Sequence, residues 1–317
     1  MTCTRCNHTT CKRFGYFGKR RIQRWRCASC NSTFCEPHTR LTRTTMTSNP
    51  EAAMRAIQCL LEGCSIRSTE RLTGLNRNTI MRLLIIGGER TTCLMDARMR
   101  DLHPRYLQID EIWTFVQKKA RHVRKDDSPD LGDQWVYVAI DEETKLIPSF
   151  IIGKRHRKVA STFLWDLYNR VASRVQITTD GLRHYTEGVP LAFGLDVDFA
   201  QLVKLFGDYG QHDSDGRYSP SPIVEVISKV RTGNPDPRHI STSFVERQNL
   251  TMRMQLRRFT RLTNAFSKKL SHLNAAVALH FAYYNFCRVH SSLRVTPAME
   301  AGLSDHIWSV AELLGAA

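Results

Sequence analysis

Leu107-Gln-Ile-Asp-Glu-Ile-Trp-Thr-Phe115 is the stretch from which the fold can be read. Apolar and β-branched residues dominate it, so it reads as a strand with Asp110 in its middle. An ionised carboxylate on a core strand is costly to bury unless it is paired or binds a cation. Side chains alternate along a strand, so Glu111 is expected on the opposite sheet face, leaving only one of the two for a shared site. Two later acids are candidate partners for Asp110. Asp180 ends the strand-like Val175-Gln-Ile-Thr-Thr179, and Glu246 opens the helix that begins Ser243-Phe-Val-Glu. Each has an ordinary alternative: Asp180-Gly181 is also a turn signal, and Ser243-x-x-Glu246 also matches a helix capping box.

Outward from that stretch, Trp135–Ile140 and Leu146–Ile152 read as two further strands joined at Asp141-Glu-Glu-Thr. Arg157–Ala172 has helical spacing through Val159, Phe163, Leu164, Leu167 and Val171, and Val175–Thr179 returns to strand. Three strands, a helix and a fourth strand carrying an acid is the order of a ribonuclease-H-like core, which sets the middle of strand one beside the end of strand four. Residues 196–240 hold a strand-like run at Ile223–Val230 and a Gly-, Pro- and Asp-rich loop, and are expected outside the minimal core. Helix resumes at Ser243 and is expected to continue toward Lys269, with seven Lys or Arg and no acid over 247–269. Leu270–Phe286 is apolar nearly all round and should be buried.

Upstream, Glu51 opens a helical pattern through Ala53, Ile57, Leu60 and Leu61 that Gly63 stops. Two short helical patterns, Ser65–Leu72 and Asn76–Leu84, are parted by Thr73-Gly74-Leu75, an arrangement that suits a helix-turn-helix. Its exposed reading residues would be Arg77, Asn78, Thr79 and Arg82. Thr42–Pro50 is polar and reads as a linker. Before it, Cys3, Cys6, Cys27 and Cys30 form C-x2-C-x20-C-x2-C, a zinc ribbon signature because each pair turns two thiolates onto one tetrahedral ion. His8, Cys11, Cys35 and His38 stand close enough in sequence to replace one ligand. Residues 1–50 carry ten Lys or Arg against Glu36 alone, a balance of +9, and Lys19, Arg20, Arg21, Arg24 and Arg26 around Trp25 suit a phosphate backbone.

The whole chain has 317 residues and a formal charge of +16, from 46 Lys and Arg against 30 Asp and Glu. Its length predicts two or more domains, and its charge a polyanionic partner, double-stranded DNA before an anionic membrane. No apolar run approaches the ~20 residues of a spanning helix, and no charged leader precedes an apolar segment. A cytoplasmic, nucleoid-associated protein is expected.

Gln108-Ile-Asp-Glu-Ile-Trp, Thr178-Thr-Asp-Gly, Ser243-Phe-Val-Glu-Arg-Gln-Asn-Leu and Tyr284-Asn-Phe-Cys-Arg-Val-His-Ser-Ser-Leu-Arg-Val-Thr-Pro-Ala-Met resemble the transposases of the insertion-sequence-one family. The resemblance spans most of the chain. It implies a mixed α/β protein: a zinc ribbon over 1–46, a helix-turn-helix domain over 47–100, a ribonuclease-H-like catalytic domain over 101–300 and a tail over 301–317. It further implies that Asp110, Asp180 and Glu246 form a catalytic triad binding Mg2+ or Mn2+, with zinc as a structural ion. The interval from Asp180 to Glu246 is longer than in the better-known integrase pattern, and Glu225 is the substitute for the third acid.

The residue types suit that chemistry. Three carboxylates can hold two divalent ions of a kind that prefers oxygen ligands, one at the attacking and one at the leaving oxygen of a phosphodiester. Water frees a 3′-hydroxyl at the element end, and that hydroxyl attacks target DNA. Arg253, two turns beyond Glu246 on the same helical face, is placed to hold a phosphate. Joining two ends in concert calls for a homodimer or larger assembly. Two alternatives stand beside this: a metal-dependent nuclease that cuts without joining, and a DNA-binding regulator whose acids are structural.

Overall fold

The computed structural model describes residues 2–315 apart from 4, 18–21, 36–48, 208–222 and 261–262. Most of the expected linker, His38, the Lys19–Arg21 run and the loop before Ile223 lie outside the described residues. The chain divides into two compact units, Met1–Glu51 and Ala52–Ala317.

In the first unit, β1 (Cys11–Phe17), β2 (Ile22–Cys27) and β3 (Thr33–Cys35) form an antiparallel sheet in the order β1-β2-β3. Fifty residues cannot bury much apolar surface, and Phe14 and Tyr16 stay exposed. Guanidinium groups cover its aromatic rings instead: Arg26 lies 5.3 Å and Arg24 5.9 Å over Phe14, and Arg13 lies 5.9 Å over Trp25.

The second unit is mixed α/β around a six-stranded sheet ordered β6-β5-β4-β7-β8-β9. Its strands are β4 (Tyr106–Val116), β5 (Gly132–Asp141), β6 (Phe150–Gly153), β7 (Val175–Thr179), β8 (Val197–Phe206) and β9 (Ile223–Thr232). β4 pairs antiparallel with β5 and parallel with β7, in a register that sets Ile109 opposite Thr179. Asp180, the next residue, therefore emerges beside Asp110. Alternation along β4 separates two layers. Leu107 and Ile109 join Tyr137, Ile177 and Phe199 in a core closed by helices Arg157–Tyr168 and Arg183–Phe193. Gln108 and Asp110 face the helix Ser243–Gln255 on the other side, where the Gln108 amide oxygen accepts the Phe244 N–H at 2.9 Å.

Several expectations are corrected. Val197–Phe206 belongs to the sheet: it pairs parallel with β7 and buries Val197 and Phe199 completely. Leu146–Ser149 is not strand, because the Asn285 side chain takes up the backbone of Ile147, accepting its N–H at 3.0 Å and donating to its carbonyl at 2.9 Å. The basic helix ends at Gln255, so that Leu256 and Phe259 bury and Phe266 packs 4.8 Å from Phe115.

Three helices precede the sheet: α1 (Pro50–Leu61), α2 (Ile66–Thr73) and α3 (Arg77–Arg98). Ser65 caps α2, Gly74 ends it at φ +70°, and Asn76 caps α3. The third helix runs well past the expected Leu84, straight through Gly87-Gly88. These glycines are a seat for helix Leu270–Phe286: a Cβ on Gly88 would lie 2.3 Å from the Ala275 Cα. Close packing between the two helices outweighs the ~1 kcal/mol that glycine costs inside a helix. Among the described residues no helix is long and apolar enough to cross a membrane.

Candidate active site and metal centres

The middle of β4, where its parallel pairing with β7 stops, and the C-terminal end of β7 converge on a group of carboxylates. One oxygen each from Asp110, Glu111 and Asp180 lies within 4.8 Å of the others. Asp110 accepts the Glu111 N–H at 2.8 Å and the Asn249 side-chain amide, also at 2.8 Å. Asp180 accepts the Leu182 N–H at 3.0 Å, a short turn that fixes its carboxylate at the strand end. Glu111 does leave β4 toward the opposite layer, where the Tyr185 hydroxyl donates to it and Arg155 pairs with it at 3.0 Å. It nonetheless joins the group, against the expectation that only one of the adjacent acids would. Asp180 lies beyond the last paired residue of β7, so its carboxylate is reached from both faces.

Electrostatics in this group favour a cation. Burial and the nearby Asp180 push the Asp110 carboxyl up to about 7, and the same two causes push Glu111 up to about 8. Burial raises Asp180 as well. Arg155, 3.0 Å from Glu111 and 3.7 Å from Asp180, supplies one positive charge against three crowded acids. An all-oxygen donor set with unbalanced negative charge fits Mg2+ or Mn2+ and does not fit a thiophilic ion.

Glu246 sits apart from this tight group. It is half-exposed at the start of helix Ser243–Gln255, pairs with Lys204 on β8 and accepts the Thr242 hydroxyl at 2.6 Å. The capping box does not form, since Thr242 and not Ser243 is the residue at the N-cap, without a side-chain cap bond, and Glu246 turns to the Thr242 hydroxyl. Its charge still reaches the group, contributing to the raised values of both Asp110 and Asp180. Glu225 lies exposed on the outermost strand, opposite Leu205. Arg253 stands two turns beyond Glu246 on the same helix and is partly buried. Asn249, one turn beyond Glu246, is the residue found touching Asp110, and the i, i+3 spacing was the available signal.

In the first unit, Cys3, Cys6, Cys27 and Cys30 bring their sulfurs within 4.8 Å of one another, and the Cys3–Cys30 and Cys6–Cys27 separations are both 3.6 Å. Four thiolates at the ~2.3 Å of a zinc–sulfur bond lie about 3.8 Å apart, so the geometry fits one tetrahedral ion. Arg24 is partly buried and Arg26 exposed on β2. Arg77, Asn78 and Arg82 are exposed on the first turns of α3.

No protein-family model matches the chain, and no curated protein matches it. Among solved structures, a simian T-cell lymphotropic virus intasome in complex with PP2A regulatory subunit B56 gamma aligns over 78% of this chain and 74% of that one, at 16% identity and a TM-score of 0.37. A piggyBac transposase synaptic complex with hairpin DNA aligns over 79% of this chain and 56% of that one, at 12% identity and a TM-score of 0.29. The Mos1 transposase paired-end complex aligns over 45% of this chain and 56% of that one, at 12% identity and a TM-score of 0.22. The chain thus spans little more than half the length of the two transposases. At these scores the overlap is partial.

Proposed function

We propose that the chain is a DNA transposase of the insertion-sequence-one type, with a ribonuclease-H-like core that cleaves DNA at transposon ends and transfers the freed 3′-hydroxyl to target DNA. The observation that supports it most is the convergence of Asp110 and Asp180, seventy residues apart in sequence, within one group of three carboxylates that Arg155 alone does not balance. Magnesium or manganese bound there would supply an activated attacking oxygen and a stabilised leaving oxygen at phosphorus.

The side chains have distinct tasks in this reading. Asp110 and Asp180 are the primary ligands, and Glu246 completes the triad when DNA phosphate competes for Lys204. Glu111, held by Tyr185 and Arg155, keeps Arg155 beside Asp180. Arg253 holds a phosphate on the helix that carries Glu246. Arg77, Asn78 and Arg82 read terminal inverted repeats in the major groove, while the zinc-held ribbon, through Arg24 and Arg26, grips the backbone. Two ends joined in concert require two or more copies.

The test supplies a pre-cut end with a free 3′-hydroxyl, a target duplex and Mg2+ or Mn2+, and compares the native chain with Asp110→Asn and Asp180→Asn. Joined products from the native chain, their loss in both variants and unchanged DNA binding are expected. Hydrolysis without joining would replace this function with that of a nuclease. Activity that survives both substitutions would leave the acids a structural role in a DNA-binding regulator.

A further inference from the structure

The two edges of the main sheet are unlike. At one end β6 is four residues long and half-buried. At the other, β9 is ten residues long, contains no proline, and is exposed along almost its whole length. Val224 is 72% and Val230 59% exposed, and Val226 and Ile223 are about as open. Edge strands are ordinarily protected by proline, bulges or charged side chains, because a row of unpaired backbone groups is a template for another strand; the charges on β9 are of both signs, Glu225 against Lys229 and Arg231. Here the register irregularities fall at Phe199/Ala200 and Leu205/Phe206, so they bracket an unbroken ladder that runs from Glu225 to Val230.

We infer that β9 is a self-pairing edge that joins two copies of this chain through antiparallel strand addition about a two-fold axis at Ile227. The charge pattern singles out the occupant. In a pair centred on Ile227, Glu225 of each copy falls opposite Lys229 of the other, and Val224 opposite Val230. The salt-bridge pair and the valine pair each form twice by symmetry, as an isologous contact requires. Directly opposed pairs of these kinds are the units that stabilise antiparallel sheets. A centre at Val226 would set Glu225 against Ile227 and Val224 against Ser228; one at Ser228 would leave Lys229 against Ile227. The inference draws on the sheet edge alone and not on the acid group.

The test is self-association of the full chain without DNA, by sedimentation equilibrium, with circular dichroism to check the fold. The native chain should dimerise. Glu225→Lys or Lys229→Glu alone sets like charges opposite each other twice, and each should weaken the dimer about tenfold. The double reversal should restore it. In Ile227→Cys, the two Cα atoms would stand about 4.5–5.5 Å apart across the axis, inside disulfide range, so oxidation should yield a peptide linked 227 to 227. A monomeric native chain, an unrestored double reversal, the absence of the 227 cross-link, or single reversals that weaken only DNA binding would each overturn the inference. Asp110→Asn should dimerise like the native chain while losing joined products, so failure of the interface and failure of the chemistry are read separately.

Discussion

Replacing Asp110 by Asn should stabilise the metal-free protein while abolishing strand transfer. Asp110 ordinarily titrates near 3.8, and in the folded chain it is pushed up to about 7 by burial and by Asp180. A group whose folded value is raised binds its proton more tightly in the folded state. Stability is therefore full below about pH 4 and is lost as pH rises through 7. The interval corresponds to about 4 kcal/mol at 1.36 kcal/mol per pH unit, and solvent screening at a partly open site brings it to about 2–4 kcal/mol. Asparagine has the same shape and carries no charge; its Oδ1 keeps the Glu111 N–H, and its Nδ2 donates to the Asn249 Oδ1 once that side-chain amide is turned over. At pH 8.5 in chelator, Asp110→Asn should melt about 4–8 °C above the native chain. At pH 4 the two should melt together. The assay is differential scanning calorimetry across that range, with strand transfer measured on the same preparations. Equal melting at pH 8.5, or the same gain at both pH values, would refute the electrostatic account of the acid group.

Three further outcomes are expected. Mg2+ or Mn2+ should raise the melting temperature of the native chain more at pH 8 than at pH 5, because protons occupy the carboxylates at the lower pH; no difference in calorimetry would remove the cation from this group. Cys27→Ser should abolish bound zinc, measured by atomic emission, and reduce the salt dependence of DNA binding, since the ribbon's arginines lose their frame. Gly88→Val should lower stability by about 3 kcal/mol or more in urea titration, because the new side chain meets the Ala275 backbone, which has nowhere to move.

What the sequence disclosed was the part written in buried apolar runs. β4 and β7 are such runs, the first with Asp110 in its middle and the second followed at once by Asp180. The cysteine spacing likewise anticipated the four sulfurs that converge. Helix Arg183–Phe193 went unread because Gly188 and Pro190 interrupt its pattern; burial of Tyr185, Val189 and Phe193 in the core outweighs the helical hydrogen bond that Pro190 removes. β8 went unread because it was grouped with a Gly- and Pro-rich neighbour; its alternation Val197-Asp-Phe-Ala-Gln-Leu-Val is plain once β7 supplies a partner. The reach of Glu111 into the acid group depends on where β7 stops, and the tie of Glu246 to Lys204 depends on β8. Both follow from contacts between distant segments, which periodicity does not encode.

Helix Arg77–Arg98 has a further consequence. At 22 residues it is about 33 Å long; its first turns present Arg77, Asn78 and Arg82 outward, and its middle is clasped against Ala275 through Gly88. If the tip reads bases as proposed, tip and clamped shaft on one rod form a lever arm without a joint, and the distance from recognised base pairs to the acids becomes a fixed dimension. Grafting a new specificity onto this chain would therefore require exchanging only the rod's tip, and lengthening the shaft by a turn should move the point of cleavage along the duplex.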